Sequence, residues 1–174
     1  MFELLYPRIY VDNLLDIPLD QLRKQNISAL ILDLDNTITE WNSNELRSEI
    51  QEWFIRIKSE GFKACILSNN AEKRIQVVAD RLGIPFIPRA AKPRRGSFRR
   101  AVDLMGVRAD EAAVIGDQIF TDVLGGNRSG LFTILVKPLA RREFVGTKIN
   151  RTLELFILSY LLRGMPNKGG YKIR

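Results

Sequence analysis

Apolar residues along this chain fall into two patterns that take turns. Short, near-continuous apolar runs stand at 27–33 (ISALILD), 63–67, 84–87 (IPFI), 112–115 and 131–136. Each is bounded by Gly, Pro, Ser or Asn, and each predicts a strand. Runs with no polar alternation suit strands covered on both faces, as in a parallel sheet. Between them, apolar positions recur at helical spacing. Leu46, Ile50, Trp53, Phe54 and Ile57 predict a helix over about 44–59, and Ile75, Val78, Ala79 and Leu82 predict another over about 71–82. A third is expected over 95–105, and a fourth from Gly116 to about Asn127. Gly61, Gly83 and Gly106 mark helix exits. Strands alternating with helices in this way predict an α/β fold on a parallel sheet.

Two segments fall outside that unit, whose core is 27–136. Residues 1–26 carry scattered apolar and aromatic positions, and 148–163 read as a helix with Ile149, Leu153, Phe156, Ile157, Tyr160 and Leu161 on one face. That face suits packing on the sheet, or, with Lys148, Arg151 and Arg163 beside it, a membrane interface. The Gly-containing, basic tail from 164 is expected to fray. A chain of 174 residues suits one domain, 1–174.

Composition narrows the chemistry. There is no histidine, which removes Ser-His-Asp hydrolysis, phosphohistidine chemistry and His-ligated zinc. One cysteine, Cys65, removes disulfide frameworks and multi-Cys metal sites. It sits in the run ACIL and has no arginine six residues on, so it reads as a core residue. No basic leader precedes Pro7, and no apolar run approaches the roughly 20 residues of a membrane span. A cytoplasmic location is expected, with peripheral contact at the inner face of the membrane left open. The net charge of +7 suits anionic partners, or solubility alone.

The candidate chemistry lies where the predicted strands end. Asp33 and Asp35 follow the first strand, with Thr37 behind them. Two carboxylates two positions apart can address one site, and they repel unless a cation or a shared proton compensates. Oxygen donors alone, with no His or Cys, select a hard cation such as Mg²⁺. Ser68 and Asn69 follow the second strand, Lys92 the third, and Gly116, Asp117 and Asp122 the fourth. Each group also has a plainer reading as a helix cap, a turn or a solvated loop.

Taken in order, Asp-x-Asp-x-Thr, Ser, Lys and Gly-Asp-x-x-x-x-Asp resemble the motifs of the haloacid dehalogenase-like phosphatase superfamily over 27–136. The phrases LDLDNTIT and GDQIFTDVLGGNRSG are similar to its YqeG-type branch, which in turn is similar to mitochondrial-type phosphatidylglycerophosphatases. The resemblance implies a three-layer Rossmann-like sandwich with a parallel sheet of about five strands. It also implies a Mg²⁺-dependent phosphatase. Asp33 would be the nucleophile that forms an aspartyl-phosphate, and Asp35 the acid and base. Thr37, Ser68, Asn69 and Lys92 would orient or bind the phosphoryl group. Asp33, the Asp35 carbonyl and Asp117 would hold the metal, with Gly116 and Asp122 in support. One helix and one strand fill each stretch between the motifs at Asp33, Ser68 and Lys92, which leaves no room for a cap domain. An uncapped site favours a large or surface-borne substrate, and by resemblance the lipid phosphate phosphatidylglycerophosphate. The alternatives are a soluble metabolite, a nucleic-acid end or a phosphoprotein as substrate, or a binding module that uses 92-KPRR-95 and 99-RR-100 to hold RNA or a ribosomal partner.

Overall fold

The computed structural model describes residues 2–140, 157, 167–168 and 171–173. Its strands are β1 (Ile9–Val11), β2 (Ala29–Leu32), β3 (Lys63–Leu67), β4 (Phe86–Ile87), β5 (Ala112–Gly116), β6 (Phe132–Val136), β7 (Asn167–Lys168) and β8 (Tyr171–Ile173). Its helices are α1 (Leu19–Lys24), α2 (Ser48–Ser59), α3 (Glu72–Leu82), α4 (Arg95–Met105) and α5 (Leu124–Arg128). The strands form one sheet in the order β4-β3-β2-β5-β6-β1-β8-β7. The first six are mutually parallel, and β8 joins β1 antiparallel and pairs with β7.

Both faces of this sheet are covered, and the strands record it residue by residue. Leu30, Leu32, Ala64, Ile66, Ala113 and Ile115 point into a core shared with α2 and α3. Their neighbours Ala29, Ile31, Cys65, Leu67, Ala112 and Val114 point into a second core with α4. The uninterrupted apolar runs follow from this, since successive side chains alternate between two buried faces. Cys65 lies fully inside the second core, and burial pushes its thiol pKa up to about 12. At the exits of α3 and α4, Gly83 and Gly106 take φ of 59° and 61°, the left-handed cap that glycine adopts without steric cost.

Four expectations change. The sheet has six parallel strands rather than about five, because Ile9–Val11 from the N-terminal segment pairs with β6. Tail residues expected to fray form β7 and β8, closing the sheet edge beyond β1. Helix α2 begins at Ser48 rather than 44, because the Ser43 hydroxyl accepts from the Glu45 N–H and sets a turn just before it. The helix expected after Gly116 opens with a π-helical turn, Ile119–Val123, before α5. The helix expected over 148–163 lies outside the described residues except at Ile157. That residue is helical and packs beside Ile119, Val123 and Leu135. Among the described residues no helix is long and apolar enough to cross a membrane.

Candidate active site

The sheet order has its switch point between β2 and β5, since the chain leaves β2 toward β3 on one side and returns on the other. Ligands in open α/β sheets bind at that crevice, beyond the carboxyl ends of the strands. Register delivers the acids there. Leu32 pairs with Ile115, and the Asp33 N–H donates to the Ile115 carbonyl at 2.9 Å. Asp33 and Asp117 therefore leave neighbouring strands at the same edge. Ser68 follows from β3, where its N–H donates to the Ile87 carbonyl at 3.1 Å. Lys92 follows from β4, with its backbone N–H donating to Asn69 Oδ1 at 2.8 Å.

The side chains converge. Carboxylate oxygens of Asp33, Asp117 and Asp122 lie within 4.8 Å of one another, and all three residues are buried. The Lys92 ammonium sits among them, 2.7 Å from Asp33 Oδ1 and 2.6 Å from Asp122 Oδ1. Asp122 Oδ2 accepts from the Gln118 N–H at 3.2 Å and the Thr121 hydroxyl at 3.3 Å. Burial pushes the Asp33 pKa up to about 6. Lys92 opposes the rise, and the carboxylates of Asp122 and Asp35 add to it. For Lys92, burial works against the charge. Asp122 and Asp33 outweigh it, so the ammonium is held above the ordinary lysine range.

Charge balance tests the fit to a metal. Three buried carboxylates face one ammonium, an excess of negative charge that the interior does not tolerate cheaply. The donors available are oxygens. A hard divalent cation fits both the charge and the donor set.

A cavity of about 300 Å³ opens on this cluster, lined by Asp33, Asp35, Ser68, Asn69, Lys92 and Gln118 among others. Thr37 does not line it. It is buried beneath the loop, where Asn36 takes a left-handed φ of 59° and closes a tight turn by donating to the Thr39 carbonyl at 2.7 Å. Gly116 serves space rather than a turn. A Cβ there would come within 2.2 Å of Asp122 Cγ, so only glycine lets Asp122 fold back under β5 toward Lys92. Asp35 lines the cavity with a carboxylate held by another set of donors. It accepts from Asn42 N–H at 3.1 Å, from Arg74 Nη1 at 3.0 Å, and also from Arg74 Nη2 and Asn70 Nδ2. Sequence reasoning missed Asn70 and Arg74, and also Trp41, Gln118 and Thr121 of the cavity lining. Asn70, beside Asn69 at a strand end, and Gln118 and Thr121, inside the stretch from Gly116 to Asp122, carried a sequence signal; Trp41 and Arg74 carried none.

Comparisons with known proteins identify the family and the fold. The family model described as haloacid dehalogenase-like hydrolase matches residues 14–130. The chain is 44% identical over 157 residues to "Probable phosphatase YqeG" of Bacillus subtilis, covering 90% of this chain and 91% of that protein. It is 27% identical over 168 residues to "Phosphatidylglycerophosphate phosphatase 1, chloroplastic/mitochondrial" of Arabidopsis thaliana, covering 90% of this chain but only 48% of that protein's length. In fold it is similar to the cobalt-bound deoxy-D-mannose-octulosonate 8-phosphate phosphatase of Haemophilus influenzae. That likeness has a TM-score of 0.54 and 16% identity, and covers 79% of this chain and 90% of that one.

Proposed function

The chain belongs to the haloacid dehalogenase-like hydrolase family as a phosphatase, and we propose that it is a Mg²⁺-dependent phosphomonoesterase acting on phosphatidylglycerophosphate through an aspartyl-phosphate. The observation that carries the reading is the convergence of Asp33, Asp117 and Asp122 around Lys92 at the β2–β5 switch point. Asp33 attacks phosphorus as the nucleophile. Lys92 offsets the charge on the transferring phosphoryl oxygens, with Ser68 and Asn69 beside it. Asp122, both of whose oxygens accept hydrogen bonds, holds Lys92 in place. Asp35 donates a proton to the leaving oxygen and then takes one from the attacking water. Asp33, Asp117 and the backbone carbonyl of Asp35 would hold the cation. When bound, it supplies the positive charge that lets a carboxylate approach an anionic phosphate.

The lipid substrate is supported by the name of the Arabidopsis relative and by the absence of a cap among the described residues. Only α2 and β3 separate Asp33 from Ser68, and only α3 and β4 separate Ser68 from Lys92. Phosphate release from phosphatidylglycerophosphate in mixed micelles tests it, with water-soluble esters run in parallel. The expected result is Mg²⁺-dependent release that EDTA stops, Asp33→Asn abolishes, and the micellar lipid supports best. Release from soluble esters with none from the lipid would overturn the substrate.

A further inference from the structure

The chain carries no Asp or Glu between Asp80 and Asp103, yet Arg89, Arg94, Arg95, Arg99 and Arg100 lie in that stretch and all are exposed. Among the described residues none of these five guanidinium groups pairs with a carboxylate. Arg23, Arg47, Arg56, Arg74 and Arg108 each do, while Arg8, Arg81 and Arg128, which do not, are dispersed along the chain. The placement is specific. Arg89 and Arg94 bracket Lys92 on the loop from β4 to α4, and Arg95 begins α4. Arg89 donates its backbone N–H to the carbonyl of Asn70, a residue of the cavity wall. Trp41, an aromatic that is 38% exposed, lines the same cavity.

We propose that this rim docks the enzyme on an anionic lipid bilayer, with Arg89, Arg94 and Arg95 against headgroup phosphates and Trp41 in the interface. The inference rests on the lipid reading of the site and adds the surface that would bring the cavity to the membrane. Charge complementarity selects the partner, since unpaired cations beside a membrane attract anionic headgroups and an indole prefers the interfacial zone. RNA fits less well. Successive bases call for several stacking faces, and the rim offers one, Trp41, since Phe98 inside the arginine cluster is fully buried.

Sedimentation with extruded vesicles tests the proposal without using turnover. Wild type is expected to pellet with phosphatidylcholine vesicles containing phosphatidylglycerol and not with phosphatidylcholine alone. Added salt should weaken binding, and Trp fluorescence should shift to the blue on binding. Arg94→Glu/Arg95→Glu should weaken binding by at least about tenfold. Arg8→Glu/Arg128→Glu makes the same change in net charge before β1 and at the end of α5, and should weaken it far less. Thermal melting of both pairs verifies that each variant folds. Equal binding to both vesicle types, equal loss from both pairs, or RNA binding abolished by Arg94→Glu/Arg95→Glu while vesicle binding survives would each overturn it. Failure of the phosphatase reading would show separately, as Asp33→Asn retaining turnover.

Discussion

Gly116→Ala is the smallest change that reaches the whole site. The added Cβ would lie 2.2 Å from Asp122 Cγ, 2.3 Å from Oδ2 and 2.6 Å from Cβ. Asp122 is 1% exposed, so it has no free space to retreat into. Overpacking of this kind costs about 1–3 kcal/mol. Moving Asp122 also breaks its 2.6 Å bond to Lys92, and a hydrogen bond to a charged group is worth about 1.5–3 kcal/mol. The sum, about 2.5–6 kcal/mol, would lower the melting temperature by roughly 5–25 °C in a chain of this size. Phosphate release should fall at least about a hundredfold, since Lys92 loses one of its two anchors. Gly96→Ala is the matched control. Nothing lies within 4 Å of its added Cβ, and alanine in a helix gains up to about 1 kcal/mol over glycine. Calorimetry and a phosphate-release assay on both variants decide the matter. Gly116→Ala as stable and active as wild type would refute the role given to Asp122.

The other predictions concern the cation and Asp35. Without metal, Asp33 has a folded pKa of about 6 against 3.8 unfolded, so folding favours its protonated form. Its contribution to stability is greatest below about pH 4 and falls away as pH rises through 6, a loss of about 3 kcal/mol by neutral pH. Mg²⁺ should therefore raise the melting temperature at pH 7.5 and do so much less at pH 5. Equal effects at both pH values would contradict the charge argument. Arg74→Ala removes two of the four donors that hold Asp35. It should lower kcat by about tenfold or more on alkyl phosphate esters, whose leaving oxygen needs a proton, and much less on aryl esters. Equal losses on both ester classes would show that Arg74 does not act through Asp35.

The legible part of this molecule is the part with local signatures. Apolar runs in β2, β3, β5 and β6 are long enough to read, and the residues after them stand at strand ends by necessity. Asp33, Ser68 and Asp117 could therefore be assigned to one sheet edge before any coordinates, and Lys92 less directly, through the short run at β4. Strand β1 was missed because Ile9–Val11 is only three residues long, and only its pairing with β6 makes it a strand. The β7–β8 pair was missed because Asn167–Lys168 and Tyr171–Ile173 carry almost no apolar pattern. Arg74 lies within α3 and Trp41 in a polar loop, so spacing alone could not bring the first to Asp35 or the second to the cavity. Gly116 read as a turn glycine, but the reason for it is the space taken by Asp122, a contact six residues away that needs the π-helical turn.

Rapid quench during turnover of a phosphate ester, followed by borohydride reduction and peptide mass mapping, asks where the phosphoryl group is carried. An acyl phosphate at Asp33 would be reduced there to homoserine, giving a modified peptide that contains position 33, requires Mg²⁺ and is absent from Asp33→Asn. Turnover with no trapped residue, or with the modification on Asp35, Asp117 or Asp122 instead, would contradict a nucleophile at Asp33.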